Sequence, residues 1–342
     1  MDPSGITSAW LSSVLGGDVE LVGSTRIGDG LVGMNLRLEL RAAAGLPDRL
    51  IAKLPSPDPT SRATGAALRN YEREVKFYRD IAPTVDIRVA RCFHGEWDPT
   101  DHDFVLLLED LAPAQQGDQV AGCSVEHARV AVLELARLHG PRWGDTTLDD
   151  IEFLERRSGE AAAQLQTIYG MFMPGFLATY SRYLDRDAVD LIEQFASRVA
   201  EWVDGRDLPR TVTHGDYRLD NLMFESASGG YPVAAVDWQT PGHGQATADV
   251  SYFLGAGPLT EDRRRVEREL VDEYLDALSR YDVTVDADHF WHHYARDAFG
   301  GVIMSVVASQ IVGSNERSEA MFAAMAVRHT RHALDLDARS LV

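Results

Sequence analysis

The sequence is poor in cysteine and contains no long apolar run, and both absences exclude classes of protein. Cys92 and Cys123 are the only cysteines among 342 residues, so the chain can build neither a disulfide framework nor a cysteine-based zinc site. No run of about 18 apolar residues occurs, and the N-terminus lacks a basic segment followed by an apolar one. We therefore expect a cytoplasmic protein that is neither secreted nor membrane-spanning.

Basic residues are scarce as well. The chain has 33 lysine and arginine residues against 53 acidic ones, a net charge of −20, and its basic cluster is confined to Arg263 to Arg265. The summed field should repel nucleic acid and anionic membranes. It would attract a small cation, although an acidic surface also serves solubility alone. We expect a small-molecule partner, no nucleic acid and no membrane; the oligomeric state is left open.

The first third of the sequence carries strand patterns. Residues 34–40 alternate apolar and polar side chains with the period of a half-buried strand. Further strands are predicted over 49–54 and 104–108. Between them, apolar residues spaced three and four apart predict a helix over 66–82 that Pro83 ends.

Long helices follow from Ser124, which is a good N-cap residue. Further helices are predicted over 156–185, 187–204, 261–280, 288–312 and 316–337. A short strand-and-loop region interrupts them from 211 to 238. We therefore predict an α+β fold with two lobes: a small β-rich lobe with one helix (1–112) and a larger, mainly helical lobe (113–342), with the ligand site in the cleft between them.

Residues 214–237 carry three polar side chains at a spacing that suits phosphoryl transfer. His-Gly-Asp-Tyr-Arg-Leu-Asp-Asn runs from His214 to Asn221, and Asp237 follows an apolar run directly. Asp216 would accept the proton of a hydroxyl, while Asn221 and Asp237 would hold the Mg²⁺ that bridges the phosphates of a nucleotide. His214 is interpreted as structural, its ring holding the backbone of the loop, because Asp216 already supplies the base.

Gly28, Gly30 and Gly33 form a Gly-x-Gly-x-x-Gly run. In dinucleotide-binding proteins such a run opens a helix, whose N-terminus meets the pyrophosphate. Here it leads into an alternating strand. That context fits a glycine hairpin folded over a triphosphate, although a plain flexible turn has the same composition.

Lys53 ends a predicted strand, where it could pair with the α and β phosphates of a nucleotide. A glutamate on the following helix should pair with it in turn. Glu72 and Glu74 both flank the apolar stripe of that helix, and helical spacing alone does not separate them.

These motifs resemble those of the aminoglycoside phosphotransferase and choline kinase superfamily, and within it the ecdysteroid-kinase-like proteins and the bacterial phosphotransferase enzyme family. The residues from His214 to Asn221 are similar to the family loop H-G-D-x-x-x-x-N, and Val236 to Gln239 to its metal-binding strand. Tyr71 to Tyr78 and Leu107 to Leu111 match supporting elements. The resemblance extends over roughly residues 20 to 310.

The resemblance implies a protein-kinase-like fold and an ATP- or GTP- and Mg²⁺-dependent phosphotransferase. It makes Glu74 the partner of Lys53 and Asp249 a support of the catalytic loop. Backbone groups at Leu108, Glu109, Asp110 and Leu111 would hold the adenine.

Two departures from protein kinases stand out. Gly215 replaces their arginine, which points to small-molecule substrates. Trp238 and Gln239 replace their Phe-Gly pair, so the regulatory flip of those enzymes is not expected.

The sequence thus predicts a small-molecule kinase, and it leaves the acceptor open. Net charge favours an aminoglycoside or an amino alcohol, while aromatic side chains at 290, 291, 294 and 299 suit an apolar alcohol. His243 and the His292–His293 pair could also contact substrate. The alternatives are a non-catalytic nucleotide- or metabolite-binding homologue and a metal-dependent phosphoesterase with His214, Asp216, Asp237 and His243 as its ligands.

Overall fold

The N-terminal part of the molecule is built around one antiparallel sheet. The computed structural model describes residues 2–28, 33–154, 159–226, 231–312 and 315–342. The sheet has the order β1-β2-β3-β5-β4. Its strands are β1 (Val19–Ile27), β2 (Gly33–Ala42), β3 (Arg49–Pro55), β4 (Cys92–Trp97) and β5 (Phe104–Glu109). All its pairings are antiparallel, and Lys53 on β3 lies between Asn35 on β2 and Leu106 on β5.

Successive side chains of β5 pack into two different hydrophobic clusters, one on each face of the sheet. Val105 and Leu107 pack with Leu11 of helix α1 (Ser8–Leu15), on one face of the sheet. Leu106 and Leu108 face the other way, into the large central cluster. Successive side chains of a strand point to opposite faces, so β5 ties the small helix to the core beneath the cleft.

The single helix predicted over 66–82 is wrong in its bounds. The segment forms α2 (Pro59–Ala67) and α3 (Asn70–Lys76), followed by a wider helical turn over Phe77–Ile81. Arg69, with φ of 59°, is in the left-handed region and separates the two helices. Leu68 is one of the regularly spaced apolar residues that predicted the helix, and it is 46% exposed rather than buried. The α2 helix starts at Pro59, a favourable residue for the first turn, with Asp58 as its N-cap.

Helices dominate the remainder of the chain, as predicted, so the α+β fold class is confirmed. They are α4 (Val125–His139), α5 (Glu160–Tyr180), α6 (Arg186–Phe195), α7 (Val199–Asp204), α8 (Ala246–Ala256), α9 (Thr260–Leu278), α10 (Ala287–Arg296), α11 (Phe299–Ile311) and α12 (Glu316–Asp335). Ser124 caps α4 through the His127 amide.

Two predicted helices, over 187–204 and 288–312, are each divided in two. The second breaks at Asp297, whose carboxylate accepts hydrogen bonds from Arg206 and Thr247. Helix α8 was not predicted because its residues are buried on every side, which removes the periodicity that reveals a helix.

Short strands carry the central motif. They are β6 (Gln115–Gln116), β7 (Arg210–Thr213), β8 (Leu222–Ser226), β9 (Tyr231–Ala235) and β10 (Gly242–Gln245). β7 pairs with β10, and β8 lies between β6 and β9. The loop 214–221 therefore connects two separate small sheets, and residues 236–241 run beside it, with the Val236 amide donating to the Asn221 carbonyl at 2.9 Å. Among the described residues, no helix is long and apolar enough to cross a membrane.

The corrected position of Leu68 gives a test of the fold with a matched control. Leu106 is fully buried in β5, so Leu106→Ala should lower the free energy of unfolding by about 2–5 kcal/mol. The same truncation at the exposed Leu68 should change it by only about 0.5 kcal/mol. Urea denaturation of both variants measures the difference, and equal losses would contradict the helix break at Arg69.

Candidate active site

One cavity of about 1290 Å³ joins the sheet to the helical part and brings most of the predicted site residues together. Its walls include Gly28, Gly33, Lys53, Leu108, Glu109, Asp110, Leu111, Asp216, Asn221 and Asp237. Glu74 stands behind Lys53, in contact with it. Gly30 lies outside the described residues. Gly28 has a φ of +66°, which is the left-handed conformation that glycine adopts without strain.

Lys53 lies between two carboxylates at the inner end of the cavity. Its Nζ is 2.5 Å from Glu74 Oε1 and 3.2 Å from Asp237 Oδ1. Burial alone would lower the pKa of Lys53, but Asp237 and Glu74 outweigh it and raise the pKa above its usual value. The ammonium is therefore protonated at every physiological pH, and it connects α3 to the residue that follows β9.

Glu72 and Glu74, which helical spacing could not separate, have different partners. Glu74 is fully buried against Lys53, as the resemblance implied. Glu72 is also buried, but it bonds to Arg69 at 2.8 Å and to Lys76 at 2.5 Å. The bonds from Arg69, opposed by burial, are the main reason that the pKa of Glu72 falls to about 2.

Asp216 is oriented by three hydrogen-bond donors. Tyr252 on α8 donates to Oδ1 at 2.8 Å. Asn221 Nδ2 and Arg218 Nε donate to Oδ2 at 3.0 and 3.1 Å. Burial, followed by the charge of Asp216, raises the pKa of Tyr252 well above its usual value, so the phenol keeps its proton and remains a donor. Oδ1 has the fewer partners and is the oxygen with room for a further donor.

Asn221 and Asp237 offer oxygen ligands. Because Asn221 Nδ2 also donates to the Asp216 carbonyl at 2.9 Å, the side-chain oxygen Oδ1 is the atom that can face a cation. The Asp237 side chain is 39% exposed toward the cavity. Burial would raise the pKa of Asp237, but Lys53 outweighs it and lowers the pKa. An amide oxygen and an ionised carboxylate are hard donors that fit Mg²⁺.

The catalytic loop is held from beneath by Asp249 on α8. Its carboxylate accepts from the His214 amide at 2.7 Å and from the Gly215 amide at 3.0 Å. Burial raises the pKa of Asp249, but hydrogen bonds and charge from His139 and His214 lower it further than burial raises it. An ionised Asp249 therefore fixes two consecutive amides, which is the supporting contact that the resemblance implied.

His214 bonds to backbone on both sides of its ring, as the structural interpretation expected. Its Nε2 lies 3.1 Å from the Val236 carbonyl, and its Nδ1 lies 3.3 Å from the Asp216 amide. The Nε2–H tautomer satisfies both contacts. The ring also lies 4.4 Å from that of Trp238, so it joins the catalytic loop to the segment of Asp237.

Trp238 explains why the segment after Asp237 is anchored. Its side chain is fully buried and stacks on Phe77 with 3.8 Å between ring centroids and an interplanar angle of 4°. Phe77 directly follows α3, which carries Glu74. Asp237 itself has a φ of 65°, an unusual conformation for a residue other than glycine, of the kind that surrounding structure must enforce.

The predicted adenine-binding segment lies along the cavity wall at the end of β5. Arg88 binds the Glu109 carboxylate at 2.7 Å, and the Glu109 amide donates to the Arg91 carbonyl at 2.8 Å. Asp110 pairs with Arg37 at 2.8 Å. These bonds hold Glu109 at the edge of the sheet. The backbone at Asp110 and Leu111 would therefore suit the adenine ring better than Glu109 does.

Several expectations about the acceptor side do not hold. Phe290, Tyr294 and Phe299 are core residues, and His292 and His293 are not among the described residues that line the cavity. His243 does line it, with its Nδ1 3.3 Å from Asp149. An apolar wall from α11 and α12 lies there instead: Met304, Val307, Ala308, Ile311, Met321, Phe322 and Met325. Neither this wall nor Tyr252 was singled out from sequence, because apolar residues at helical spacing look like core.

Comparison with known proteins agrees with this arrangement. A model of the ecdysteroid kinase-like family matches residues 35–284, more than half of the chain. A comparison with curated proteins gave no significant match.

Solved structures similar along the whole chain are kinases of small molecules. Choline kinase from Cryptosporidium parvum has a TM-score of 0.56 at 11% identity, covering 93% of this chain and 89% of that one. The GDP complex of aminoglycoside 2'-phosphotransferase-IIIa has 0.55 at 11%, covering 93% and 97%. The streptomycin and ATP ternary complex of APH(2")-IIa has 0.52 at 11%, covering 96% and 99%. Identities this low establish the fold alone.

The fold is the one that the aminoglycoside phosphotransferase and choline kinase structures share. The family match over residues 35–284 goes further: the chain belongs to the ecdysteroid kinase-like family.

Gly215 gives a test of the loop geometry. It has a φ of +80°, and a Cβ there would lie 2.3 Å from the Thr240 carbonyl oxygen. Gly215→Ala should therefore lower the free energy of unfolding by about 2 kcal/mol or more. Gly244→Ala is the matched control, since its Cβ would meet nothing closer than Thr213 at 3.5 Å. Thermal unfolding distinguishes the two variants. Unchanged stability in Gly215→Ala would contradict the close contact between residue 215 and the Thr240 carbonyl oxygen.

Proposed function

We propose that this protein is a Mg²⁺-dependent kinase that transfers the γ-phosphoryl group of ATP or GTP to a hydroxyl of a small molecule. The observation that carries the proposal is the position of Lys53 between Glu74 and Asp237, in the same cavity as Asp216 and Asn221. A buried, protonated amine beside hard oxygen ligands and a poised carboxylate suits phosphoryl transfer, which depends mainly on positioning and charge neutralisation.

The two parts of the chain have separate tasks in this proposal. Residues 1–112 hold the nucleotide through Gly28 and Gly33, the Lys53 ammonium and the backbone near Asp110 and Leu111. Residues 113–342 supply the catalytic loop and the acceptor site. A Mg²⁺ ion held by Asn221 and Asp237 would neutralise charge on the phosphates.

Asp216 has the position of the base. With Oδ2 committed to Asn221 and Arg218, an acceptor hydroxyl would donate to Oδ1, beside Tyr252. Tyr252 also lines the cavity, on the side of the apolar wall. The acceptor therefore enters between α8 and the wall formed by α11 and α12. Its proton would pass to Asp216 as the new O–P bond forms and the bond between the γ-phosphorus and the departing nucleoside diphosphate breaks.

The charges around the cavity favour an uncharged acceptor over a polycation. Nine acidic and eight basic side chains are among the described lining residues, which is close to balance despite the net charge of −20. The acidic groups near the acceptor side are already engaged: Asp220 binds Arg218 at 2.5 Å and Arg317 at 3.1 Å, and Asp297 binds Arg206 at 2.9 Å. An aminoglycoside would have to displace these arginines to find a carboxylate.

The apolar wall is a second reason to expect an uncharged, apolar acceptor. Its methionine, valine and phenylalanine side chains would lose water on contact with a hydrocarbon surface, and each buried CH₂ of the acceptor would contribute about 0.8 kcal/mol. Methionine also adapts its shape to irregular apolar ligands. We therefore assign the acceptor as an apolar alcohol, rather than the aminoglycoside or amino alcohol that net charge alone favoured.

The two alternatives fit the site less well. A phosphoesterase would need histidine ligands, but both ring nitrogens of His214 face backbone groups and His243 faces Asp149. A non-catalytic binding protein would have no need for an Asp216 carboxylate oriented by three donors.

Separating catalysis from binding tests the main proposal. Asp216→Ala should reduce kcat by about 10²–10⁴-fold, because the proton acceptor is lost, and leave the Kd for nucleotide within about twofold. Lys53→Met should instead raise the Kd for nucleotide. The assay is a screen of hydroxylated compounds for stimulated ADP or GDP release, with Asp216→Ala as the blank. Unchanged turnover in Asp216→Ala would overturn the assignment.

A charge placed in the wall tests the acceptor class. Val307 is half-buried on α11 and lines the cavity, so Val307→Glu should raise KM for an apolar alcohol by about tenfold or more. Val307→Gln, of the same size but neutral, should raise it less, and neither should alter nucleotide affinity. An unchanged KM for apolar alcohols in Val307→Glu would contradict the assignment while leaving the kinase proposal intact.

A further inference from the structure

Three metal-ligating side chains meet beside helix α10, and none of them is among the described residues that line the cavity. His289 and His293 are four residues apart on α10, which places them on one face of the helix. Asp207 reaches the same face from the segment between α7 and β7. One ligand atom of each residue lies within 4.8 Å of the other two.

The distances suit a small divalent ion. Asp207 Oδ1 lies 3.3 Å from His289 Nε2 and 2.5 Å from His293 Nε2. In a tetrahedral zinc site with bonds of 2.0–2.2 Å, ligand atoms lie about 3.3 Å apart. Of the three separations, the one between Asp207 and His289 already matches, the one between Asp207 and His293 would widen by about 0.8 Å, and the one between the two imidazoles, which is within 4.8 Å, would adjust as well. The Asp207 side chain is 72% exposed, so it can move without disturbing packed residues.

His293 is 4% exposed, so its ring is held in a fixed position beside Asp207. Its other neighbours are the His289 and His292 rings, with centroids 4.8 and 5.3 Å away.

A simple hydrogen bond between helix and loop accounts for only part of the arrangement. It would explain the short contact of Asp207 with His293, but not why His289 directs its own Nε2 to the same oxygen atom. The nearby guanidinium groups are engaged elsewhere: Arg206 binds Asp297 at 2.9 Å, and Arg296 donates to the Glu201 carbonyl at 2.8 Å. These two arginines are therefore not the partners of the Asp207 carboxylate.

We propose that Asp207, His289 and His293 form a binding site for Zn²⁺ or a similar transition-metal ion, separate from the Mg²⁺ site of the catalytic cavity. Two imidazoles and one carboxylate select borderline metals over Mg²⁺ and Ca²⁺, which prefer oxygen alone. Three protein ligands leave the fourth position of a tetrahedral ion to water.

The site would join α10 to the segment that leads into β7. β7 runs directly into the catalytic loop at His214. The same segment is already bound to the far end of α10, where Arg206 contacts Asp297 and Trp202 Nε1 donates to the Arg296 carbonyl at 2.8 Å. A bound ion would add a second connection one to two turns away and stabilise the folded state by mass action.

Zinc titration of the full-length, chelator-treated protein in excess Mg²⁺ tests the proposal. Calorimetry should give one Zn²⁺ per chain, and thermal unfolding should shift to higher temperature as Zn²⁺ is added. His289→Gln removes one ligand from an exposed position and should weaken Zn²⁺ binding by at least about tenfold. Asp207→Asn should weaken it as well.

His292→Gln is the matched control, because His292 lies on the same helix and is not part of the described cluster. It should bind Zn²⁺ as the unmodified protein does. Without zinc, all three variants should unfold at nearly the same temperature as the unmodified protein. No stoichiometric Zn²⁺ binding, equal affinity in His289→Gln, or an equal loss in His292→Gln would overturn the proposal. None of these readouts depends on kinase activity.

Discussion

The buried ammonium of Lys53 is the interaction on which the site depends. It is the shared partner of Glu74 on α3 and Asp237 after β9, so one positive charge joins the sheet, its helix and the segment that follows β9. Removing one member of a buried ion pair costs about 3–5 kcal/mol, because the remaining charges lose their compensation. The Phe77 and Trp238 rings stack beside this ion pair and hold the same two segments together without charge.

Most of the fold was accessible from sequence because its patterns are local. Period-two alternation located β2, and the Ser124 cap located the start of α4. The break at Arg69 was not accessible, since a left-handed residue other than glycine leaves no compositional signal. Helix α8 was not predicted for a different reason. It is buried on all sides, so its sequence has no polar face, and the alternation of polar and apolar faces is what identifies a helix.

The residues proposed to perform the chemistry could be singled out from sequence, whereas Tyr252, which donates to Asp216, could not. Asp216, Asn221 and Asp237 belong to one short segment whose spacing is visible in the chain. The choice between Glu72 and Glu74 required either the family resemblance or the structure, because it depends on which side of α3 faces Lys53. Tyr252 and the α11–α12 wall become apparent only when segments far apart in sequence meet.

The near balance of charge within the cavity has a kinetic consequence. The protein as a whole is strongly acidic, so the nucleoside triphosphate of the proposed reaction would approach against repulsion until it reached the basic groups of the cleft. Salt shortens the reach of both fields, to about 8 Å at physiological ionic strength. Added salt would therefore speed the approach of this nucleotide through bulk solvent and weaken its hold once bound, so both rate constants for exchange would increase together.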